Sequence, residues 1–134
     1  MITLSVSVIP DNGVIEIPLA NKQNGYIGIL DISLPRIENQ EALISISCDQ
    51  VDSTMYNRKR ILRAFYIRTV YEASRAYVYQ QFEHITYHKL DSSDEKLTIR
   101  IRDQHGALKF AEDTLPVMIT MELKLDPADK WINM

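Results

Sequence analysis

An all-β sandwich is the fold class this sequence predicts, and three features predict it. First, residues 97–125 carry two alternating runs. Leu97, Ile99 and Ile101 oppose Thr98, Arg100 and Arg102, and Val117, Ile119, Met121, Leu123 and Leu125 oppose Met118, Thr120, Glu122 and Lys124. Period-two alternation of this kind makes strands with one buried and one wetted face. Second, the chain opens the same way, with Ile2, Leu4, Val6 and Val8 against Thr3, Ser5 and Ser7. Third, about eight or nine such runs are separated by turn signals roughly every 8–12 residues, the spacing of sandwiches and barrels.

The elements follow in order. Pro10-Asp11-Asn12-Gly13 reads as a turn, because Pro presets φ and Asn-Gly accepts positive φ. Ile15, Ile17 and Leu19 then alternate with Glu16 and Pro18, and the proline suits an edge or a strand end. Residues 21–25 form a polar loop. Residues 26–34 (YIGILDISL) are a third strand that Pro35 ends, with Gly28 allowing a bulge or a close neighbour. Residues 42–48 (ALISISC) are a fourth, with Ile44, Ile46 and Cys48 inward and Ser45 and Ser47 outward.

Residues 58–81 carry two signals. Leu62, Phe65, Tyr66, Thr69, Val70, Ala73 and Tyr77 fall at helical spacing, yet the segment is dense in β-branched and aromatic side chains. The β reading, with strands near 61–70 and 76–82, agrees with both flanks and is preferred; the helix stays open. Residues 83–90 (EHITYHKL) read as another strand and 91–95 as a solvated turn. Residues 103–106 turn tightly between strands at 97–102 and 107–110.

A chain of 134 residues is one domain by size, here 1–126, with 127–134 a surface tail that Trp131 alone could anchor. A 46% hydrophobic and 25% charged composition is that of an ordinary globular domain. The net charge of −3 argues against a general nucleic-acid coat. Cys48 is the one cysteine, so no intrachain disulfide and no Cys-based zinc site can form, which fits a reducing compartment. The N-terminus lacks the basic start and apolar run of a signal peptide, and no window reaches ~18 consecutive apolar residues. The expectation is a chain that does not cross a membrane.

Catalytic signals are few. His84 and His88 would share a metal on a helix, but on a strand they lie about 13 Å apart at ~3.3 Å per residue. Asp31, Asp49, Asp52 and Asp103 are scattered without the pairing that hydrolysis needs. No nucleophile elbow and no glycine-rich phosphate loop is present. Cys48 reads as a small buried hydrophobe. No catalytic residue, metal or cofactor is expected, and the chain is read as not an enzyme.

The stronger lead is basic. Arg58, Lys59, Arg60, Arg63, Arg68 and Arg75 fall within eighteen residues opposed by Glu72 alone, a local +5 that leaves −8 elsewhere. Such a segment is a solvated face, an interface with a second copy, or a phosphate-binding surface for nucleic acid. Tyrosines 56, 66, 71, 77 and 79 crowd the same region, and Tyr with Arg is enriched at protein–protein contacts. These six basic residues are the candidate oligomer interface.

Three blocks, in order, resemble minor capsid proteins of Polinton/Maverick elements and adintovirus-like viruses. NGYIGILDISLP (24–35) is similar to their strand ending in Pro. ISISCDQVDSTMYNRKRILRAF (44–65) resembles a strand with a Cys-Asp pair, a polar loop and a Leu-Arg strand. FEHITYHKLDSSDEKLTIRIRDQHGALKF (82–110) resembles a Tyr-centred strand, an acidic turn and an I-x-I-x-D-x-x-G-x-x-x-F hairpin. The blocks cover roughly half the chain, and the stretch between the first two is shorter here than in the family. The resemblance implies a single jelly roll of about eight antiparallel strands, a penton-like or minor shell component. Its expected partners are itself, as a homopentamer, and other capsid proteins in a virion. The alternative is a carbohydrate- or peptide-binding β-sandwich module, since jelly rolls often bind sugars and surface tyrosines can stack on them.

Overall fold

A computed structural model of the chain describes residues 2–19, 24–38, 41–51, 60–68, 77–91, 95–112 and 114–125. Among the described residues there are ten strands and no helix. They are β1 (Ile2–Val8), β2 (Val14–Pro18), β3 (Asn24–Pro35), β4 (Glu41–Cys48) and β5 (Ile61–Arg68), then β6 (Tyr77–Gln81), β7 (His88–Asp91), β8 (Lys96–Asp103), β9 (Gly106–Ala107) and β10 (Val117–Leu125). All of the pairings between them are antiparallel.

The strands form a β-sandwich of two five-stranded sheets. Sheet A runs β1-β10-β3-β6, with β7 sharing the β6 side of β3; sheet B runs β2-β8-β4-β5, with β9 beside β8. The pairs are nested: β4 with β5, β3 with β6 and β7, β2 with β8, β1 with β10. The chain therefore doubles back as one long ribbon, and rolling that ribbon brings β10 onto β3 and β8 onto β4.

Alternation explains the core. Ile15 and Ile17 of β2, Ile44, Ile46 and Cys48 of β4, and Leu97, Ile99 and Ile101 of β8 meet Ile27, Ile29, Ile32 and Leu34 of β3 and Val117, Ile119, Met121 and Leu123 of β10 in one buried cluster. The inward set in β3 changes phase between Ile29 and Ile32. A bulge explains it: Ile29 faces Met121 and Asp31 faces Thr120, leaving Leu30 as the extra residue. A second irregularity, at Leu62 of β5, lies between the Ile46–Arg63 and Ser47–Ile61 pairs.

The turn at 10–13 forms as its residues predict. Asp11 and Val14 exchange two backbone hydrogen bonds of 3.0 Å, and Asn12 and Gly13 hold φ of 52° and 77° between them. A Cβ on Gly13 would stand 2.8 Å from the Ile101 carbonyl oxygen, so this position requires glycine on two counts. Pro18 closes β2 on a sheet edge. Within 58–81 the described parts are strands, β5 and β6, because side chains branched at Cβ or aromatic pack better on a pleated face than on a helix. Of the loop read at 21–25, Asn24 and Gly25 belong to β3, and of the turn read at 91–95, Asp91 belongs to β7; residues 21–23, 69–76, 92–94 and 126–134, with Trp131, lie outside the described residues.

Two expectations need correction. The strand read at 83–90 is only His88–Asp91. Residues 85–87 instead cross the outer face of sheet A over Gly28, where a Cβ would meet Ile85 Cγ2 at 2.7 Å and the Thr86 carbonyl at 3.2 Å. The alternation of Ile85 and Tyr87 is thus satisfied by lying on a sheet. The strand read at 107–110 is only its first residue, joined to Gly106. The chain then leaves β8 for residues 36–38, where Glu38 N–H donates to Lys109 O (3.0 Å) and Ala111 N–H to Arg36 O (2.8 Å).

Candidate functional site

The densest polar cluster is built on the outer face of sheet B. Because β4 and β8 alternate, Ser45 and Ser47 point outward beside Arg102 and Arg100, their register partners. The chain turns after β4, and Asp49 N–H donates to Thr98 O at 3.1 Å, bringing the Asp49 carboxylate beside β8. Arg100 grips it through two parallel hydrogen bonds, Nε to Oδ1 and Nη2 to Oδ2, each 2.9 Å. This fork geometry fixes direction as well as charge.

Arg60 completes the cluster. Its backbone carbonyl accepts from Cys48 N–H (3.1 Å), its φ is 56°, and its Nη1 donates to Asp49 O at 2.7 Å. Arg102 reaches Ser47 Oγ at 3.4 Å. The hydrogen bond from Arg100, seconded by the charges of Arg100, Arg102 and Arg60, holds the Asp49 carboxyl below its ordinary pKa. Three guanidinium groups thus surround one carboxylate that is kept ionised, for a net +2. Asp49 has no proton to give, so this arrangement attracts anions and offers no general acid.

The polar face was expected to be wet, and part of it is covered. Ser47 and Thr98 are buried under this cluster and the side chain of Gln50. Gln50 Oε1 accepts from Thr98 N–H at 2.7 Å, its Nε2 donates to Thr98 Oγ1 at 3.3 Å, and its carbonyl accepts from Asp91 N–H at 2.9 Å. Cys48 lies in the core as read, and burial pushes its thiol up to about 11.

The basic segment read from the sequence is divided by the fold. Arg60 joins Asp49. Arg63 goes to the edge between the sheets, its Cζ 4.5 Å from the Phe82 ring centroid and its Nη1 donating to His84 O at 2.6 Å. Phe82 packs edge-on against Phe65 at 5.3 Å. The backbone of Arg68 pairs with Glu41; its side chain, and Arg58, Lys59 and Arg75 entirely, lie outside the described residues. His84 is exposed in a bend rather than on a strand, and the His88 ring Nε2 lies 3.0 Å from Leu62 O. No group of three His, Cys, Asp or Glu among the described residues is placed to hold a metal.

Sheet A presents a different face. Tyr79 (58% exposed) and Tyr26 (46% exposed) stand on β6 and β3, with Asp31 between them along β3. Tyr79 Oη donates to Asp31 Oδ2 at 3.3 Å. Tyr87, lying over Gly28, donates to Glu122 and carries Lys124 Nζ 3.9 Å above its ring. That hydrogen bond to Glu122 raises the Tyr87 phenol above its usual range.

Sequence reading noticed Arg100 and Arg102 but left Asp49 among scattered acids. Its signal was weak: an acid directly after an inward cysteine, whose neighbour across the sheet depends on a register the chain does not announce. No helix among the described residues is long and apolar enough to cross a membrane. No protein-family model matches the chain, and no curated protein matches it.

Proposed function

We propose that the chain is a single jelly roll that serves as a penton-like or minor capsid component, assembling with copies of itself and with other capsid proteins in a virion. The observation that carries this reading is the nesting of strand pairs, 4 with 5, 3 with 6 and 7, 2 with 8, 1 with 10, into two facing sheets. A ribbon rolled this way is the double-sheet arrangement shared by capsid and lectin domains. The resemblance of residues 24–35, 44–65 and 82–110 to minor capsid blocks favours the capsid branch. Mechanistically, the sandwich supplies a stiff body, and heterologous contacts close a ring where successive copies rotate by a fixed fraction of a turn.

Native mass spectrometry tests it. The expected species is a closed homo-oligomer, a pentamer, at neutral pH and low salt. A monomer under those conditions at high protein concentration overturns the reading. Arg60→Glu is expected to reduce the oligomer while leaving the circular dichroism spectrum unchanged. Arg63 is a poor probe, since its stack on Phe82 is internal.

A second reading, a carbohydrate-binding module, is favoured by one specific observation: Tyr26 and Tyr79 are half-exposed on rigid strands flanking Asp31. Aromatic faces beside a hydrogen-bonding carboxylate suit sugar rings. A glycan array decides it: binding lost in Tyr79→Ala would support the module, and an array without hits removes it.

A further inference from the structure

Beside the arginine cluster lies a recess of about 210 Å³, lined by Asn12 and Gly13 of the first turn, Val14 of β2, Arg100 and Arg102 of β8, and Ala107 of β9. It opens where β2 stops covering β8 and β9 begins: β2 pairs with β8 up to Arg100, β9 takes over at Arg102, and Ile101 N–H donates to Gly13 O (2.8 Å) between them. The gap is a product of topology, and its volume is well above the ~30 Å³ share of a single water.

The two arginines that line it differ. Arg100 is committed on two nitrogens to Asp49. Arg102 has five N–H donors in a fixed fork and spends one on Ser47 Oγ at 3.4 Å, a long contact to a neutral group. Among the described residues no carboxylate forms an ion pair with it. Asp103, its neighbour, turns away to accept from His105 N–H at 2.7 Å. Glu16 is 3.4 Å from Lys96, toward the other end of β8. The recess is therefore bordered by a half-buried cation that feels Asp49 only at a distance and, among the described residues, forms no ion pair of its own, on a chain whose net charge is −3.

From this we infer that the recess is a binding site for a phosphate group, with Arg102 as the group that grips it. The planar fork suits a tetrahedral oxyanion, which accepts two parallel N–H bonds. Asp49 acts at one remove, by holding Arg100 against the wall. The inference does not depend on whether the chain assembles.

The test is a ¹⁵N–¹H NMR titration of the full chain with inorganic phosphate at neutral pH and low ionic strength. Expected are saturable shifts confined to the amides of Gly13, Val14, Arg102 and Ala107. Arg102→Gln is expected to weaken binding at least tenfold. Arg102→Lys, which keeps the charge and loses the fork, should weaken it severalfold, and Lys124→Gln, on the other sheet, should leave it unchanged. Asp49→Asn, which releases Arg100, should tighten it. A parallel titration with adenosine monophosphate separates recognition of the group from recognition of an ester: equal affinities mean the phosphate alone is read, and tighter binding means the ester is the natural occupant. Shifts that do not saturate, that spread over both sheets, or that survive Arg102→Gln in a folded protein overturn the site. So does an oligonucleotide that binds equally well to wild type and Arg102→Gln.

Discussion

The two sheets share one core and present opposite solutions to an exposed polar face. On sheet B the charges are turned against one another: Arg100 and Asp49 interlock, Arg60 and Arg102 crowd in, and Ser47 and Thr98 disappear beneath them. On sheet A the outward groups include tyrosines: Tyr26 and Tyr79 keep their rings in solvent, Tyr79 reaching Asp31, while Tyr87 lies part-buried on the sheet and reaches Glu122. The first face is a charge lattice whose members hold each other in place. The second is a set of aromatic platforms on strands, pinned at one point by the crossing segment over Gly28. Alternation produces both, and the identity of the outward residues decides which one results.

The difference can be broken at several points. The largest effect is expected from Gly28→Val, whose side chain would have to displace Ile85 and the Thr86–Tyr87 backbone. Overpacking of this kind costs about 1–3 kcal/mol. Ser45→Val, at the outward half-exposed position of sheet B, should change urea stability by less than about 0.5 kcal/mol. Equal losses would mean that the two faces are covered alike.

Next is Arg100→Leu, which strands the Asp49 carboxylate. Hydrogen bonds to charged groups contribute roughly 1.5–3 kcal/mol, and the exposure of both partners, 36% and 39%, lowers the expectation to about 1 kcal/mol. The pH dependence has a definite sign. The folded pKa of Asp49 is depressed, so its contribution is present above the ordinary aspartate value of about 3.9 and fades as pH falls below it. The stability gap between wild type and Arg100→Leu should therefore close in acid; a gap independent of pH would detach the arginine's role from Asp49. The smallest effect is expected for Tyr79→Phe, which removes the bond to Asp31 from an exposed ring and should be indistinguishable from wild type in denaturation between pH 5 and 8.

Much of the sandwich was legible along the chain. The runs at 2–8, 42–48, 97–102 and 117–125 needed only the pleat to be read as strands, because every second side chain there is apolar. Gly28 was read as allowing a bulge or a close neighbour: the close neighbour is the segment 85–87, while the bulge falls at Leu30. Residues 83–90 misled because alternation reports a buried side, and Ile85 and Tyr87 bury theirs against the top of a sheet instead of within one. The basic segment misled differently: nearness along the chain suggested one surface, whereas Arg63, paired with Ile46 in the regular part of β5, stacks on Phe82 and Arg60, beyond the irregularity at Leu62, bonds to Asp49.

Local pattern, then, was enough for the strands at 2–8, 42–48, 97–102 and 117–125 with their inward faces, and for the 10–13 turn, since each depends on a few neighbouring residues and the geometry of an extended chain. Pairing depends on contacts between residues far apart in the chain, and nothing local specifies them. Only folding could set Arg100 against Asp49, fifty-one positions away, open a recess where β2 gives way to β9, and lay Tyr87 across Gly28. Each of these arises from a register shared between distant strands, and register is fixed by the packing of the whole core.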